Sequence, residues 1–347
     1  VSSAAVVRAI ARAVERRDLS ADEMAEVAGA IMDGQATPAQ IGALLVALRM
    51  KGETVDEVVG AARAMRARAA PFRAPAGVVV DTCGTGGDGR GTLNVSTIAA
   101  FVVAACGVRV AKHGNRALSS KAGSADLLEA LGIAVSPGTA ALEAALAEEG
   151  LAFLFAPDFH PATRHAAGPR RELGVRTLFN LLGPLTNPAG VRRQVVGVYD
   201  GGRLELVGRA LAALGAEHAL VVHGAGGLDE LAPDGESEVV EVRAGDVRRM
   251  VLAPEDFGLV RGDASGLAGD DAATNAARAR ALLAGRDRGA GRTAVVMTAA
   301  AALVVADAAP SLREAAARAG AAIDDGAALR LVERMAARLP GGGGGRA

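Results

Sequence analysis

Residues 78–89 read VVVDTCGTGGDG, and residues 90–103 continue as RGTLNVSTIAAFVV. The run GVVVD at 77–81 predicts a short buried strand. Four glycines among residues 81–89 then turn the chain, and STIAAFVVAACG at 96–107 predicts a helix. A strand, a glycine turn and a helix open a βαβ unit. Backbone N–H groups left unpaired in such a turn and at the helix start form an anion site. Gly84, Gly86 and Gly87 permit positive φ and let an oxygen approach the backbone. Thr92, Asn94, Ser96 and Thr97 add side-chain donors. The loop is neither G-x-x-x-x-G-K-[ST] nor G-x-G-x-x-G, and it carries acids, Asp81 and Asp88, where a phosphate loop carries lysine.

Working outward, the same alternation recurs. VRVAKHG (108–114), GIAVS (132–136) and LAFLFAP (151–157) read as strands, with helices at 124–132, capped by Ser124, and across TAALEAALAEEG. After residue 190 come RQVVGVYD, a helix at 203–214, HALVVHG, an acidic turn and EVVEVR. The helix TNAARARALLAG, the strand AVVMT, the helix AAAALVVADA and a final helix at 322–338 follow. This pattern predicts an α/β domain with a mainly parallel central sheet flanked by helices. Residues 1–70 differ. They read as four short amphipathic helices, with Ser20 and Glu23 as a capping box, Thr37-Pro38 as a cap and first-turn proline, and a similar start at Thr54. The expected division is a small helical bundle at 1–70 and an α/β domain at 75–163 and 191–340. Residues 160–190 break the rhythm and are expected to cross back to the bundle near 164–190. The glycine tail at 341–347 is expected to be disordered.

Composition narrows the function. The 347 residues are half apolar, with no tryptophan, one tyrosine and seven phenylalanines. The core must be built from Ala, Val and Leu, which suits close packing and not base stacking. A net charge of −1 asks for neither nucleic acid nor an anionic membrane. The two cysteines, Cys83 and Cys106, make no disulfide framework and suit a cytoplasmic protein. The apolar run 294–306 falls short of the ~18–20 residues of a membrane span. The amphipathic start reads as a folded helix and not a targeting signal.

Two further stretches carry chemistry. In KHGNRALSSKAGSADLLEALG (112–132), Lys112, His113, Asn115 and Arg116 leave a strand end, and Ser119, Ser120 and Ser124 approach the next helix. Ligands bind outside the carboxyl ends of parallel strands, so this stretch and the glycine loop can face one cleft. HGAGGLDELAP (223–233) places Asp229 beside Glu230 after another strand, oxygen donors that suit Mg²⁺ bridging to phosphate. His160 and His165 show no zinc spacing. No covalent nucleophile stands out.

GTGGD, NVST, KHGNRALSS, GSADLLEALG, HPA, RRELGVRTLFNLLGPLTNP and GLDEL, in one order over nearly the whole chain, closely resemble the anthranilate phosphoribosyltransferases. The resemblance implies transfer of phosphoribose from 5-phosphoribosyl 1-diphosphate to anthranilate in tryptophan biosynthesis, with two Mg²⁺ ions per monomer and a homodimer joined through the helical domain. It implies that Gly84, Gly87, Asp88, Thr92, Asn94, Val95, Ser96 and Thr97 hold the sugar diphosphate, with Lys112, His113, Gly114, Asn115, Arg116, Ala117, Leu118, Ser119, Ser120 and Ser124. Gly84, Asn115 and Arg170 would meet anthranilate, with His113, His160 and Arg164 along its approach. Ser96, Asp229 and Glu230 would hold metal. Leu93, Leu118 and Met297-Thr298 depart from the pattern beside the motifs, and Met297-Thr298 is expected to affect packing more than chemistry.

Two rivals are weaker. A pyrimidine nucleoside phosphorylase would reach its glycine loop through lysine, histidine and serine and carry a further C-terminal domain; here Asp81-Thr82-Cys83 leads in and no such domain is expected. A nucleic-acid-binding relative would be basic and lack some anthranilate contacts.

Overall fold

The computed structural model describes residues 4–87, 89–117 and 121–341. Four helices come first: α1 (Ala4–Val14), α2 (Ala21–Met32), α3 (Pro38–Lys51) and α4 (Val55–Arg66). Ser20, Thr37 and Thr54 each accept from the N–H three residues on, and Glu23, Gln40 and Glu57 reach back to the cap's own N–H. Helices α2 and α4 approach so closely that a Cβ on Gly60 would lie 2.2 Å from the Ala21 carbonyl oxygen. This is the tight packing that a core poor in aromatics requires.

The chain continues through β1 (Val79–Gly84), α5 (Val95–Ala105), β2 (Arg109–Gly114), α6 (Ser124–Ala130), α7 (Thr139–Glu148) and β3 (Leu151–Phe155). Short α8 (Ala156–Phe159), α9 (Arg164–Leu173) and α10 (Phe179–Leu182) lead to β4 (Arg193–Gly197), α11 (Leu204–Ala213), β5 (His218–Gly224), β6 (Ser237–Arg243) and β7 (Asp246–Leu252). Four helices follow: α12 (Ala272–Leu283), α13 (Ala290–Val305), α14 (Leu312–Asp324) and α15 (Ala327–Arg338). The strands form one sheet in the order β3-β2-β1-β4-β5-β6-β7. The first five in that order are parallel, and β6 and β7 are antiparallel. From β1 the chain adds β2 and β3 on one side, then returns to add β4 on the other. The β1–β4 boundary is therefore the topological switch point, where open α/β sheets hold ligands. Gly84 pairs with Gly197, so both strands end together there.

Neighbouring residues face opposite sides of the sheet. Val195 and Leu220 join the core beneath α5 and α13, while Val196 and Val221 join the core shared with α11 and the bundle. Helix α9 packs on α2 and α3, and α10 on α4, so residues 164–182 return to the bundle.

Five expectations need correction. Strand β1 runs on to Gly84, so Asp81 sits mid-strand and not at a loop edge. GIAVS forms no strand; Ile133 makes one isolated bridge to Pro340. AVVMT lies inside α13, a helix buried nearly all round, because an unbroken apolar run has no period to tell strand from helix. The last segment is two helices, with Gly326 at φ +75° between them. Gly123, not Ser124, is the N-cap of α6, and Asp126 Oδ2 there accepts from Gly123 N and Ala117 N at 2.8 and 3.1 Å. The tail expected to be disordered lies outside the described residues, apart from Gly341.

Candidate active site

The glycine loop, the end of β2 and the turn after β5 meet at the switch point. Ser96 N–H, at the start of α5, donates to Glu230 Oε1 at 3.0 Å. Lys112, buried on β2, donates to the Thr82 carbonyl and to Ser96 Oγ, the latter at 3.3 Å. Thr97 Oγ1 donates to Ser124 Oγ at 2.9 Å, and Asn94 Nδ2 to the Ala122 carbonyl at 3.1 Å. Asp229 is pressed into the β1–β4 gap: a Cβ on Gly197 would lie 1.6 Å from its carbonyl oxygen, and one on Gly84 3.1 Å from its Oδ2. Only glycine at 197 admits this turn. Burial in dense protein, then the neighbouring Asp229, pushes Glu230 up to about 8, against the pull of Lys112 and Ser96 N–H.

Other expected residues fall around this centre. Gly87 follows β1 with φ +76°. Thr92 bridges Ala268, and Val95 is buried at the start of α5. Gly114 ends β2. Asn115 turns its Oδ1 back to accept from Arg116 N at 2.8 Å. Arg116 is engaged by Glu129 and Asp126, so its charge is spent within the turn that also holds Ala117. Asp88, Leu118, Ser119 and Ser120 lie outside the described residues. Arg164 begins α9 and is exposed. Arg170, near the end of α9, lies over the Phe179 ring at 5.1 Å, and burial holds its guanidinium below its ordinary value.

His113 and His160 form a pair that their spacing in the chain hides. Their rings meet edge to face at 5.1 Å. His113 Nδ1–H donates to the Gly183 carbonyl and His160 Nε2–H to the Thr186 carbonyl, leaving His113 Nε2 and His160 Nδ1 buried with no partner among the described residues. Burial, then the partner ring, takes His113 down to about 3; burial takes His160 down to about 4. Both are neutral at pH 7. Asp81, fully buried, accepts from His113 N and Asn187 Nδ2, which pins the LGPLTNP turn to the sheet. Thr298, expected to serve packing, points Oγ1 at Glu230 Oε2 from α13, 3.5 Å away.

Among the described residues no group of three or more His, Cys, Asp and Glu could cage a metal alone. One hydroxyl and two carboxylates nevertheless fit a hard cation that arrives with phosphate oxygens.

The glycosyl transferase family α/β domain model matches residues 76–329, and the helical bundle domain model of that family matches residues 7–69. The chain is 55% identical over 332 residues to the anthranilate phosphoribosyltransferase of Anaeromyxobacter dehalogenans, covering 96% of this chain and 98% of the relative. It is 54% identical to that of Moorella thermoacetica, covering 94% and 96%. The chain belongs to the anthranilate phosphoribosyltransferase family. The family enzyme of Thermus thermophilus superposes with a TM-score of 0.91 at 47% identity, over 95% of this chain and 99% of that one. The family enzyme of Saccharomyces cerevisiae, solved in complex with phosphoribosyl diphosphate and Mg, superposes with a TM-score of 0.88 at 27% identity, over 97% and 98%. The family architecture, an N-terminal helical bundle with a larger mostly parallel α/β domain, is the architecture seen here. No helix among the described residues is long and apolar enough to cross a membrane.

Proposed function

We propose that the switch-point cleft transfers phosphoribose from 5-phosphoribosyl 1-diphosphate to the amine of anthranilate, giving N-(5-phosphoribosyl)anthranilate and pyrophosphate. The convergence of Ser96, Glu230 and Lys112 on one point carries this reading. The C1–O bond breaks, its electrons leave with pyrophosphate, and the amine nitrogen bonds C1 of an oxocarbenium-like sugar; the amine then loses a proton. An aromatic amine is neutral at pH 7, so no strong base is needed before attack. The chain's task is to hold the leaving charge and align the two substrates.

The Gly84–Gly87 turn and the Asn94–Thr97 run would receive diphosphate and ribose oxygens, with Asp88 ordering the loop. Lys112 adds a fixed cation, and Thr92, Ser124 and the Gly114–Ser120 turn would complete the grip. Two Mg²⁺ ions, one on Ser96 and Glu230 and one on Asp229 and Glu230, would neutralise the departing pyrophosphate. Arg170 would receive the anthranilate carboxylate, supported by its desolvated guanidinium having no acid partner among the described residues. Asn115 and Gly84 would flank the ring, with His113, His160 and Arg164 lining the approach.

The domain division in this reading is 1–70 with the crossing piece 164–190, against 75–163 with 191–340. A homodimer through the bundle is supported by Val7, Val14 and Met50, apolar side chains 50–72% exposed on α1 and α3. Both cysteines are free and buried, which suits the cytoplasm.

Anthranilate fluorescence decides the matter. Its loss on adding phosphoribosyl diphosphate and magnesium together, and not either alone, is expected. No loss under these conditions, or turnover of a nucleoside with phosphate, overturns the reading.

A further inference from the structure

The crossing segment carries two guanidiniums six residues apart, each laid on an aromatic ring. Arg170 lies on Phe179, and Arg176 on Tyr199 with only 3.7 Å to the ring centroid. Arg176 is half-buried and makes no ion pair among the described residues. Tyr199 follows β4, and its N–H donates to Thr85 Oγ1 at 3.2 Å; Thr85 N–H donates to the Gly197 carbonyl at 2.9 Å. The seat of Arg176 is thus tied to the first residue of the glycine loop at the switch point. Arg176 Nη2 lies 3.2 Å from where a Cβ on Gly87 would stand, so the guanidinium lies over that turn.

Stacking fixes the plane of a guanidinium and leaves its N–H edges to an oxyanion. A half-buried guanidinium with no acid partner among the described residues is poised for an anion from outside. We propose that Arg176, seated on Tyr199, is a diphosphate-binding residue that receives an oxygen at the Gly87 end of the loop, while Lys112 serves the Ser96 end. This rests on the phosphoribosyl-transfer reading and adds a residue to it. It also gives the crossing segment one cation for each substrate, Arg170 for the carboxylate and Arg176 for the diphosphate.

The test compares Arg176→Ala, Arg176→Gln, Arg176→Lys and Tyr199→Leu with the native chain. Calorimetry with magnesium pyrophosphate is read beside steady-state kinetics, and melting curves confirm folding. Loss of one charge-assisted hydrogen bond predicts about 10-fold weaker pyrophosphate binding for Ala and Gln, and a similar rise in KM for phosphoribosyl diphosphate. The anthranilate KM should stay within about twofold. Lys, which keeps the charge but not the stacked plane, should restore only part of the loss, and Tyr199→Leu should fall between the native chain and Ala. Gln behaving like Lys would show that bulk and not charge matters, and unchanged pyrophosphate affinity would remove Arg176 from the site; either overturns the proposal. Failure of the native chain to turn over the two substrates sinks the functional reading instead, and the pyrophosphate titration still decides Arg176.

Discussion

Two glutamates, Glu57 in the helical bundle and Glu230 in the cleft, show how one chain treats buried charge for two ends. Glu57 is fully enclosed and fully answered. It accepts from Leu19 N at 3.0 Å, Thr54 N at 2.9 Å and Lys51 Nζ at 3.1 Å, and Lys51 also reaches Asp18. Glu230 opens onto the cleft and is under-answered. It has the Ser96 N–H and hydroxyl, a long contact from Thr298, and a second carboxylate beside it. Lys112 is near, but its hydrogen bonds go to Thr82 and Ser96. The first arrangement locks helices together. The second leaves a carboxyl that burial and a neighbouring acid push towards its protonated form, and such displaced pKa values gather where chemistry is done.

If that contrast is right, the two sites fail differently. Replacing Asp229 and Glu230 together with alanine should cost the largest factor, about 1000-fold or more in kcat/KM, with melting little changed. Retained magnesium-dependent turnover would end the metal reading. Glu57→Ala should do the reverse. It leaves two N–H groups without their acceptor and Lys51 with only Asp18 and the Gly52 carbonyl, and a broken buried pair costs about 3 kcal/mol. A urea midpoint that fails to fall, or a loss of turnover in protein that remains folded, would erase the distinction. Arg170→Ala should raise KM for anthranilate by about 10-fold and leave the sugar-diphosphate KM nearly alone. A defect on the sugar side would move Arg170 out of its place.

The parts legible in the sequence were those written locally. Ser20-x-x-Glu23, Thr37-Pro38 and Thr54-x-x-Glu57 announce helix starts because a cap is a contact three residues long. The glycine loop and the Asp229-Glu230 turn announce themselves because glycines and paired acids are rare after strands. The rule for parallel sheets puts the glycine loop and the Lys112–Ser124 stretch at one cleft, and the Lys112–Ser96 and Thr97–Ser124 bonds join them there; the Ser96–Glu230 bond adds the Asp229-Glu230 turn. What stayed hidden depends on neighbours from elsewhere in the chain. AVVMT carries no period that separates strand from helix. The His113–His160 contact joins residues 47 apart, and Thr298 reaches Glu230 from a helix mistaken for a strand. Arg176 carries no local mark, because the ring it lies on, Tyr199, is 23 residues further along the chain.

The smallest expected effect separates the acid in the cleft from the imidazoles beside it. His113 and His160 titrate at about 3 and about 4 in the fold, below the usual 6.5, so the unfolded chain takes up protons first as pH falls. Their contribution to stability is complete above pH 6.5 and drains away towards pH 4 and below. Glu230 has the opposite sign. Its pKa rises from 4.5 to about 8, so the unfolded chain releases that proton first, and stability falls as pH climbs from 4.5 to 8. In chelator, without substrate, the native chain should lose about 1–3 °C in Tm between pH 6 and 8.5 through this group. Water at the cleft mouth screens the effect and keeps it small. Glu230→Gln, which keeps the shape of the protonated acid, should remove that loss while leaving the acid-side decline untouched. Magnesium pyrophosphate should remove it too, because charge on Glu230 then has a counterpart. An alkaline decline unchanged in Glu230→Gln would place the perturbed acid elsewhere and leave the two glutamates alike.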